Sequence, residues 1–109
     1  MQILCYRNVF EDDPQLFLNR AIDLGDKAVA MPNKIRAVQS KGKETVCGSQ
    51  MPYIVGEFSD ERKRNVEGMI ACICIKEKRK TILIYALEPP GTPYNLQVTM
   101  DLLKSIKSF

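Results

Sequence analysis

The feature that most constrains this chain is a pair of neighbouring segments that are apolar on both sides. Residues 68–75 (GMIACICI) and 81–87 (TILIYAL) are rich in Ile, Leu, Cys and Tyr, which favours β-strands. An antiparallel strand with one wet face would alternate apolar and polar residues, so the pattern predicts strands covered on both sides. The charged run 76–80 (KEKRK) predicts a solvated hairpin tip between them, because five charges cannot be buried cheaply.

The residues after this hairpin predict the end of a strand and then a closing helix. Residues 88–93 (EPPGTP) stop the pairing, because proline cannot donate to a sheet ladder. Thr92 is predicted as the helix N-cap and Pro93 as the first helical residue. The apolar stripe that follows consists of Leu96, Met100, Leu103 and Ile106, widened by Val98, Leu102 and Phe109.

The N-terminal half predicts one helix and several short strands. Residues 1–10 indicate a strand, with a helix as the open alternative. An Asp N-cap followed by Pro14, with Gly25 as the stop, predicts a helix over residues 14–24. Beyond this helix we predict strands at 28–31, 44–47 and 51–58, separated by turns at 32–33, 41–43 and 48–50. Residues 59–67 are predicted as a charged loop or a single helical turn. Residues 34–38 fit either a hairpin partner or a short helix.

Together these elements predict a single domain over residues 1–109, of the α+β class, in which helices cover a central antiparallel sheet. The length of 109 residues suffices for one core. The formal net charge of +3 is mild and permits, without requiring, contact with phosphates or acidic surfaces. No apolar run is long enough for a signal peptide or a membrane span, so we expect a cytosolic protein.

The sequence gives no indication of catalysis, of a metal or of another cofactor. Cys72 and Cys74 form a C-x-C pair, but the chain has no histidine and no second close cysteine pair to complete a zinc site. We therefore interpret the pair as small buried apolar residues in a reduced compartment. The lack of histidine also removes the commonest general base, and no glycine-rich phosphate loop precedes a helix.

The C-terminal half resembles profilin, the small actin-monomer-binding protein. The resemblance depends on the strand at 68–76, the strand at 81–85, the corner at 88–93 and the helix from Asn95 onward. Residues 48–57 and 22–30 are similar to earlier strands of that family, which would make 22–24 a strand rather than the end of a helix. The resemblance implies a profilin-like fold and a non-catalytic protein that binds actin monomers and regulates their polymerisation.

The resemblance also implies which residues would bind actin. They are Thr92, Tyr94, Asn95, Gln97, Val98 and Thr99, at the start of the C-terminal helix. We expect Tyr94 to be the most informative of them, as an exposed aromatic anchor beside polar amides. The alternative is that Thr92 only caps the helix, while Asn95, Gln97 and Thr99 form its wet face.

Two further ligands of profilins suggest two further sites. Acidic phosphoinositide headgroups would bind the basic residues Arg62, Lys63, Arg64, Lys78, Arg79 and Lys80. The same residues would equally suit a nucleic acid. The alternative is that they are solvated and have no partner. Proline-rich ligands would need an aromatic groove, for which Tyr6, Phe10 and Phe109 are available together with Phe17. The chain has no Trp, however, and profilins typically use one there. A third alternative is a subunit of a larger assembly, whose partner covers the apolar strands.

Overall fold

The computed structural model describes residues 2–6, 13–24, 35–59 and 62–107. Its elements, in chain order, are β1 (Gln2–Tyr6), α1 (Pro14–Leu24), β2 (Ile35–Val46), β3 (Ser49–Ser59), β4 (Asn65–Ile75), β5 (Lys80–Leu87) and α2 (Leu96–Lys104). The strand predicted at 28–31 and the turn at 32–33 lie outside the described residues. No helix in the described ranges is both long and apolar enough to span a membrane.

The five strands form one sheet in the order β1-β5-β4-β3-β2, and every neighbouring pair is antiparallel. The hairpin of β4 and β5 pairs Ile75 with Lys80, which leaves residues 76–79 as an exposed four-residue tip. The two apolar strands and the charged tip predicted from the sequence are therefore confirmed. Because β4 lies in the middle of the sheet, it has a strand on each side and a core on each face.

Each face of the sheet carries its own hydrophobic core. On one face, Phe17 and Leu18 of α1 pack with Ile70 and Leu83; we call this the α1-side core. On the other face, residues of α2 pack with Met69, Ala71, Ile73, Ile82 and Ile84, and we call this the α2-side core. The prediction that the two central strands are buried on both faces is confirmed, since nearly all of their residues are buried.

The predicted fold class, an α+β fold in which helices cover the sheet as in profilins, is wrong. The sheet dominates the described part of the chain, and the two helices there have only 11 and 9 residues. At 1.5 Å per residue these helices are about 16 and 14 Å long, whereas an 11-residue strand spans about 36 Å. Neither helix can cover a face of this size, and β2 is exposed over most of its length.

The first helix and the first strand agree with the sequence predictions. α1 covers the predicted residues, and the Asp13 side chain accepts a hydrogen bond from the Gln15 N–H at 3.0 Å, as an N-cap does. The alternative in which residues 22–24 form a strand is wrong. Residues 2–6 form a strand rather than a helix, and they pair with β5 at one edge of the sheet.

The predicted polar turn at 41–43 is wrong, because these residues lie within the long edge strand β2. The reason lies at Gly42, which is paired with Tyr53 of β3. A Cβ atom at position 42 would lie 2.4 Å from the Tyr53 hydroxyl oxygen, so the tyrosine ring lies across the space that the glycine leaves. Gly42, which predicted a turn in the sequence, therefore lies within a strand, where its lack of a side chain lets the two strands pack closely.

The turns on either side of β3 also differ from the predictions. The turn predicted at 48–50 lies at Cys47 and Gly48, both with positive φ (53° and 75°), and Val46 pairs with Ser49 across it. Such a two-residue turn matches the twist of a hairpin. The charged loop predicted at 59–67 is shorter, because β3 extends to Ser59 and β4 begins at Asn65.

Candidate binding surface

The last helix begins later than predicted. Asn95 is its N-cap, and the Oδ1 atom of Asn95 accepts hydrogen bonds from the backbone N–H groups of Gln97 (3.0 Å) and Val98 (3.4 Å). The predictions of Thr92 as the cap and Pro93 as the first helical residue are wrong. The Thr92 N–H instead donates to the Pro89 carbonyl at 3.0 Å, in a turn that precedes the helix.

The aromatic residue predicted as an exposed anchor is half-buried. Tyr94 packs against the α2-side core. Its hydroxyl oxygen is buried and has no hydrogen-bond partner among the described residues. Burial raises the pKa of the Tyr94 hydroxyl, the nearby Glu88 and Tyr53 raise it further, and the neighbouring Thr99 hydroxyl partly opposes them. Tyr94 therefore acts first as a core residue, and the prediction that it is exposed is wrong.

The outer face of α2 is apolar where the sequence predicted burial. Val98 and Leu102 are 56% and 53% exposed, although both were assigned to the apolar stripe; Val98 was also predicted in the actin site, with which its exposure is compatible. Conversely Thr99, predicted on the wet face, is 6% exposed and faces inward beside Met100. Residues four apart lie one above the other on a helix, so Val98 and Leu102 form a continuous apolar strip on the surface.

A groove lies between the start of α2 and strands β2 and β3, on a different side of the helix from this strip. It has a volume of about 780 Å³ and is lined by Glu44, Tyr53, Pro93, Tyr94, Asn95, Leu96, Gln97, Met100 and Lys104. The groove brings together three residues of the predicted actin site, Tyr94, Asn95 and Gln97. The Gln97 side chain also donates to Asp101 Oδ1 at 2.8 Å, on the exposed side of the helix.

Two lining residues from the sheet were not found from the sequence. Tyr53 is half-buried, and Glu44 forms an ion pair with Lys104 in which Glu44 Oε1 lies 3.1 Å from Lys104 Nζ. Because this pair joins β2 to the last turn of α2, it forms part of the wall of the groove. The one sequence signal for this part of the groove is Gly42, which lies opposite Tyr53. From the sequence, Gly42 predicted a turn and not a groove.

The two basic segments lie at opposite ends of the sheet. Residues 62–64 lie at the start of β4, and Lys78, Arg79 and Lys80 lie beyond its end. β4 has 11 residues, so it is about 36 Å long at 3.3 Å per residue. The two segments therefore cannot bind one small anion together, and the prediction of an anionic ligand applies to each of them separately.

The aromatic residues proposed for a proline-rich ligand are mostly outside the described residues. Phe10 and Phe109 are not described, and only the backbone of Tyr6 is, at the end of β1. Phe17 is 1% exposed in the α1-side core, so it cannot line a surface groove. Binding of a proline-rich ligand by the other three residues stays a prediction.

The four cysteines are free and differ in their surroundings. Cys72 and Cys74 are buried, as predicted, whereas Cys5 and Cys47 are exposed. In the described part of the chain, no three or more His, Cys, Asp or Glu side chains come close enough to hold a metal ion together. The cysteines therefore do not gather into a four-ligand site of the zinc type.

No protein-family model, no curated protein and no solved structure matches this chain. The comparisons give no support for or against a relationship to profilins. Among the described residues, the start of α2 forms the best-defined candidate surface.

Proposed function

We propose that this chain is a non-catalytic protein-binding module that acts in the cytosol and uses α2 to hold an actin monomer. The observation that carries the proposal is the exposed apolar strip of Val98 and Leu102. Large aliphatic side chains that are more than half exposed and lie next to each other on a rigid helix favour burial against a partner. The amides of Asn95 and Gln97, which are exposed at the start of the same helix, supply polar contacts at one end of that strip.

The choice of actin comes from the resemblance of the C-terminal segments to profilin and does not depend on the fold class. Four of the six residues that the resemblance implies, Asn95, Gln97, Val98 and Thr92, are exposed. The other two support the surface from below, because Thr99 is buried and Tyr94 packs against the core. In this proposal, binding occupies one face of the actin monomer and so controls how the monomer joins a filament.

The experiment follows actin polymerisation by fluorescence while the protein is titrated in, together with direct measurement of the Kd for monomeric actin. The test variants are Val98→Asp and Leu102→Asp. The control is Leu16→Asp, because Leu16 is a similarly exposed aliphatic residue (48%) on the other helix. We expect the wild type and the control to slow polymerisation equally, and each test variant to raise Kd by about tenfold or more, which is about 1.4 kcal/mol.

Two outcomes would contradict the proposal, and they differ in what they exclude. If the wild type leaves polymerisation unchanged at a large excess, actin is not the partner. If the wild type binds and Leu16→Asp weakens binding as much as the α2 variants do, the face on α2 is wrong. Circular dichroism of every variant separates loss of binding from loss of folding.

A further inference from the structure

One edge of the sheet is formed by β2, the longest of the described strands. It pairs with β3 on one side, and no described strand pairs with its other side. An edge strand presents a row of backbone N–H and C=O groups without ladder partners, and such a row can bind another extended chain. Of the 12 residues of β2, only Val46 is buried. The outer edge of β2 is therefore an exposed template for strand pairing.

Two irregularities in β2 limit where a further strand can pair. The register with β3 shifts at two places, both between residues 35 and 40, as it does at β-bulges. Bulges twist an edge strand and so protect it from pairing with another chain. Over residues 40–46, in contrast, the pairing with β3 runs without interruption, from Ser40 with Val55 to Val46 with Ser49. This part of the edge is regular and lacks that protection.

The side chains on one face of this regular edge are polar and partly cationic. Lys41 pairs with Ile54, a residue of the α1-side core. Directly paired residues lie on the same face of a sheet, and residues two apart on a strand share a face, so Lys41, Lys43 and Thr45 all lie on the α1 side. All three are exposed. The α1 side of this edge therefore presents two ammonium groups and a hydroxyl group in a row.

The positive charges of this edge select among the chains that could pair with it. Lys41 and Lys43 form no ion pair with a described residue. Glu44, the acidic residue of β2, is held on the other side of the sheet by Lys104, at 3.1 Å. Two copies of β2 paired edge to edge would bring the lysines of both copies together, and like charges on neighbouring strands are destabilising. The edge therefore disfavours a second copy of this chain and favours an acidic strand.

We propose that the outer edge of β2 binds an extended acidic segment of a partner protein, which adds one strand to the sheet. Every neighbouring pair of strands in the sheet is antiparallel, and we assign the same direction to the added strand. The segment carries two acidic residues at alternate positions, the first beside Lys43 and the second beside Lys41. Backbone hydrogen bonds supply the affinity, and the two ion pairs supply the specificity. This surface is separate from the strip on α2 and does not depend on the binding of actin.

The experiment measures binding of the fluorescein-labelled peptide GTTTETETG by fluorescence anisotropy. The control peptide GTTTEETTG has the same composition, but its two Glu residues are adjacent and so lie on opposite faces of a strand. We expect the control peptide to bind about threefold more weakly, because one of its charges turns away from the lysines. The double variant Lys41→Glu/Lys43→Glu should bind GTTTETETG at least about tenfold more weakly. Lys78→Glu, a charge reversal at the hairpin tip, should stay within about twofold of the wild type.

A second pair of peptides tests whether the backbone pairs with β2. In an antiparallel ladder, alternate residues direct their N–H groups towards a given neighbouring strand. One version of GTTTETETG is N-methylated at its Glu residues, and the other at the Thr residues that precede them. Only one of these two sets can face β2. We therefore expect one methylated peptide to lose binding and the other to bind like the unmodified peptide.

Four results would overturn the proposal. The first three are no binding of GTTTETETG by the wild type, equal affinity for the two unmodified peptides, and equal affinity for the two methylated peptides. The fourth is a wild-type dimer in sedimentation experiments that excludes the peptide, which would assign the edge to a second copy. Circular dichroism reports whether the lysine variants fold, and all comparisons between peptides use the wild type. None of these measurements involves actin, so their failure is distinct from failure of the proposed function.

Discussion

Replacing Tyr94 by Phe removes a single hydroxyl group that the structure places in an unfavourable position. The hydroxyl is buried without a hydrogen-bond partner in the described part of the chain, while the ring packs against the α2-side core. A buried polar group without a partner costs about 1–3 kcal/mol. Because the residue is only half-buried, we expect the lower end of that range, a gain of about 1 kcal/mol in the free energy of unfolding.

This gain should raise the Tm by about 4–8 °C in a domain of this size, and it should grow at alkaline pH. The pKa of the Tyr94 hydroxyl is raised in the folded protein, chiefly by burial, so the unfolded chain loses this proton first. The wild type therefore keeps its full stability below about pH 10, the ordinary pKa of tyrosine, and loses part of it as the pH rises towards the folded pKa. Tyr94→Phe lacks this loss.

The assay is urea unfolding of both proteins at pH 7 and at two values above 10, followed by circular dichroism. Other ionisable groups are common to both proteins, so the difference between the two isolates Tyr94. The reasoning is refuted if Tyr94→Phe is less stable than the wild type by about 1 kcal/mol, as the loss of a hydrogen bond would be. Thr99→Val is the companion variant, because the Thr99 side chain lowers the pKa of the Tyr94 hydroxyl and is therefore a candidate for such a bond.

Two further pairs of substitutions test the roles of the helix cap and of a closely packed glycine. Asn95→Ala should cost about 1 kcal/mol in thermal or urea unfolding, because it removes the cap of α2; Thr92→Ala, at the cap predicted from the sequence, should cost much less. Gly68→Ala should cost about 3 kcal/mol, since the new Cβ would lie 2.4 Å from the Ala86 carbonyl oxygen. Gly91→Ala is its control: the added atom meets nothing within 4 Å, and the cost of about 1 kcal/mol comes only from its positive φ. Equal costs at the two glycines would contradict the steric argument.

The sequence predicts most reliably where one physical effect dominates. The strands at 68–75 and 81–87 have no polar face, and only a buried central position suits such segments. The first helix has a cap, a proline at its first position and a glycine after its end. In both cases, local signals and the tertiary environment agree, and the structure has these elements where they were predicted.

The sequence predicts poorly where a residue has two physical uses. Gly42 is a turn former by composition but lies in a strand, because its missing side chain makes room for Tyr53 eleven residues later. That pairing is non-local, and no window of sequence around Gly42 contains it. The prediction that helices cover the sheet was wrong for a similar reason. Periodicity in the sequence detects a helix, but it does not show how much of the sheet that helix can cover.

The exposed strip of Val98 and Leu102 on α2 is a different case, because its signal was present in the sequence and was misread. At about 100° per residue, Leu96, Thr99, Met100 and Leu103 lie within one arc of the helix. Val98 lies about 200° from Leu96 and Leu102 about 240°, so both belong to the opposite side in spite of their hydrophobicity. Counting apolar residues placed them in the core, whereas their angles place them in solvent, where the structure has them. These two aliphatic residues lie on the polar side of an amphipathic helix and outside the core, and the proposed binding surface is therefore centred on them.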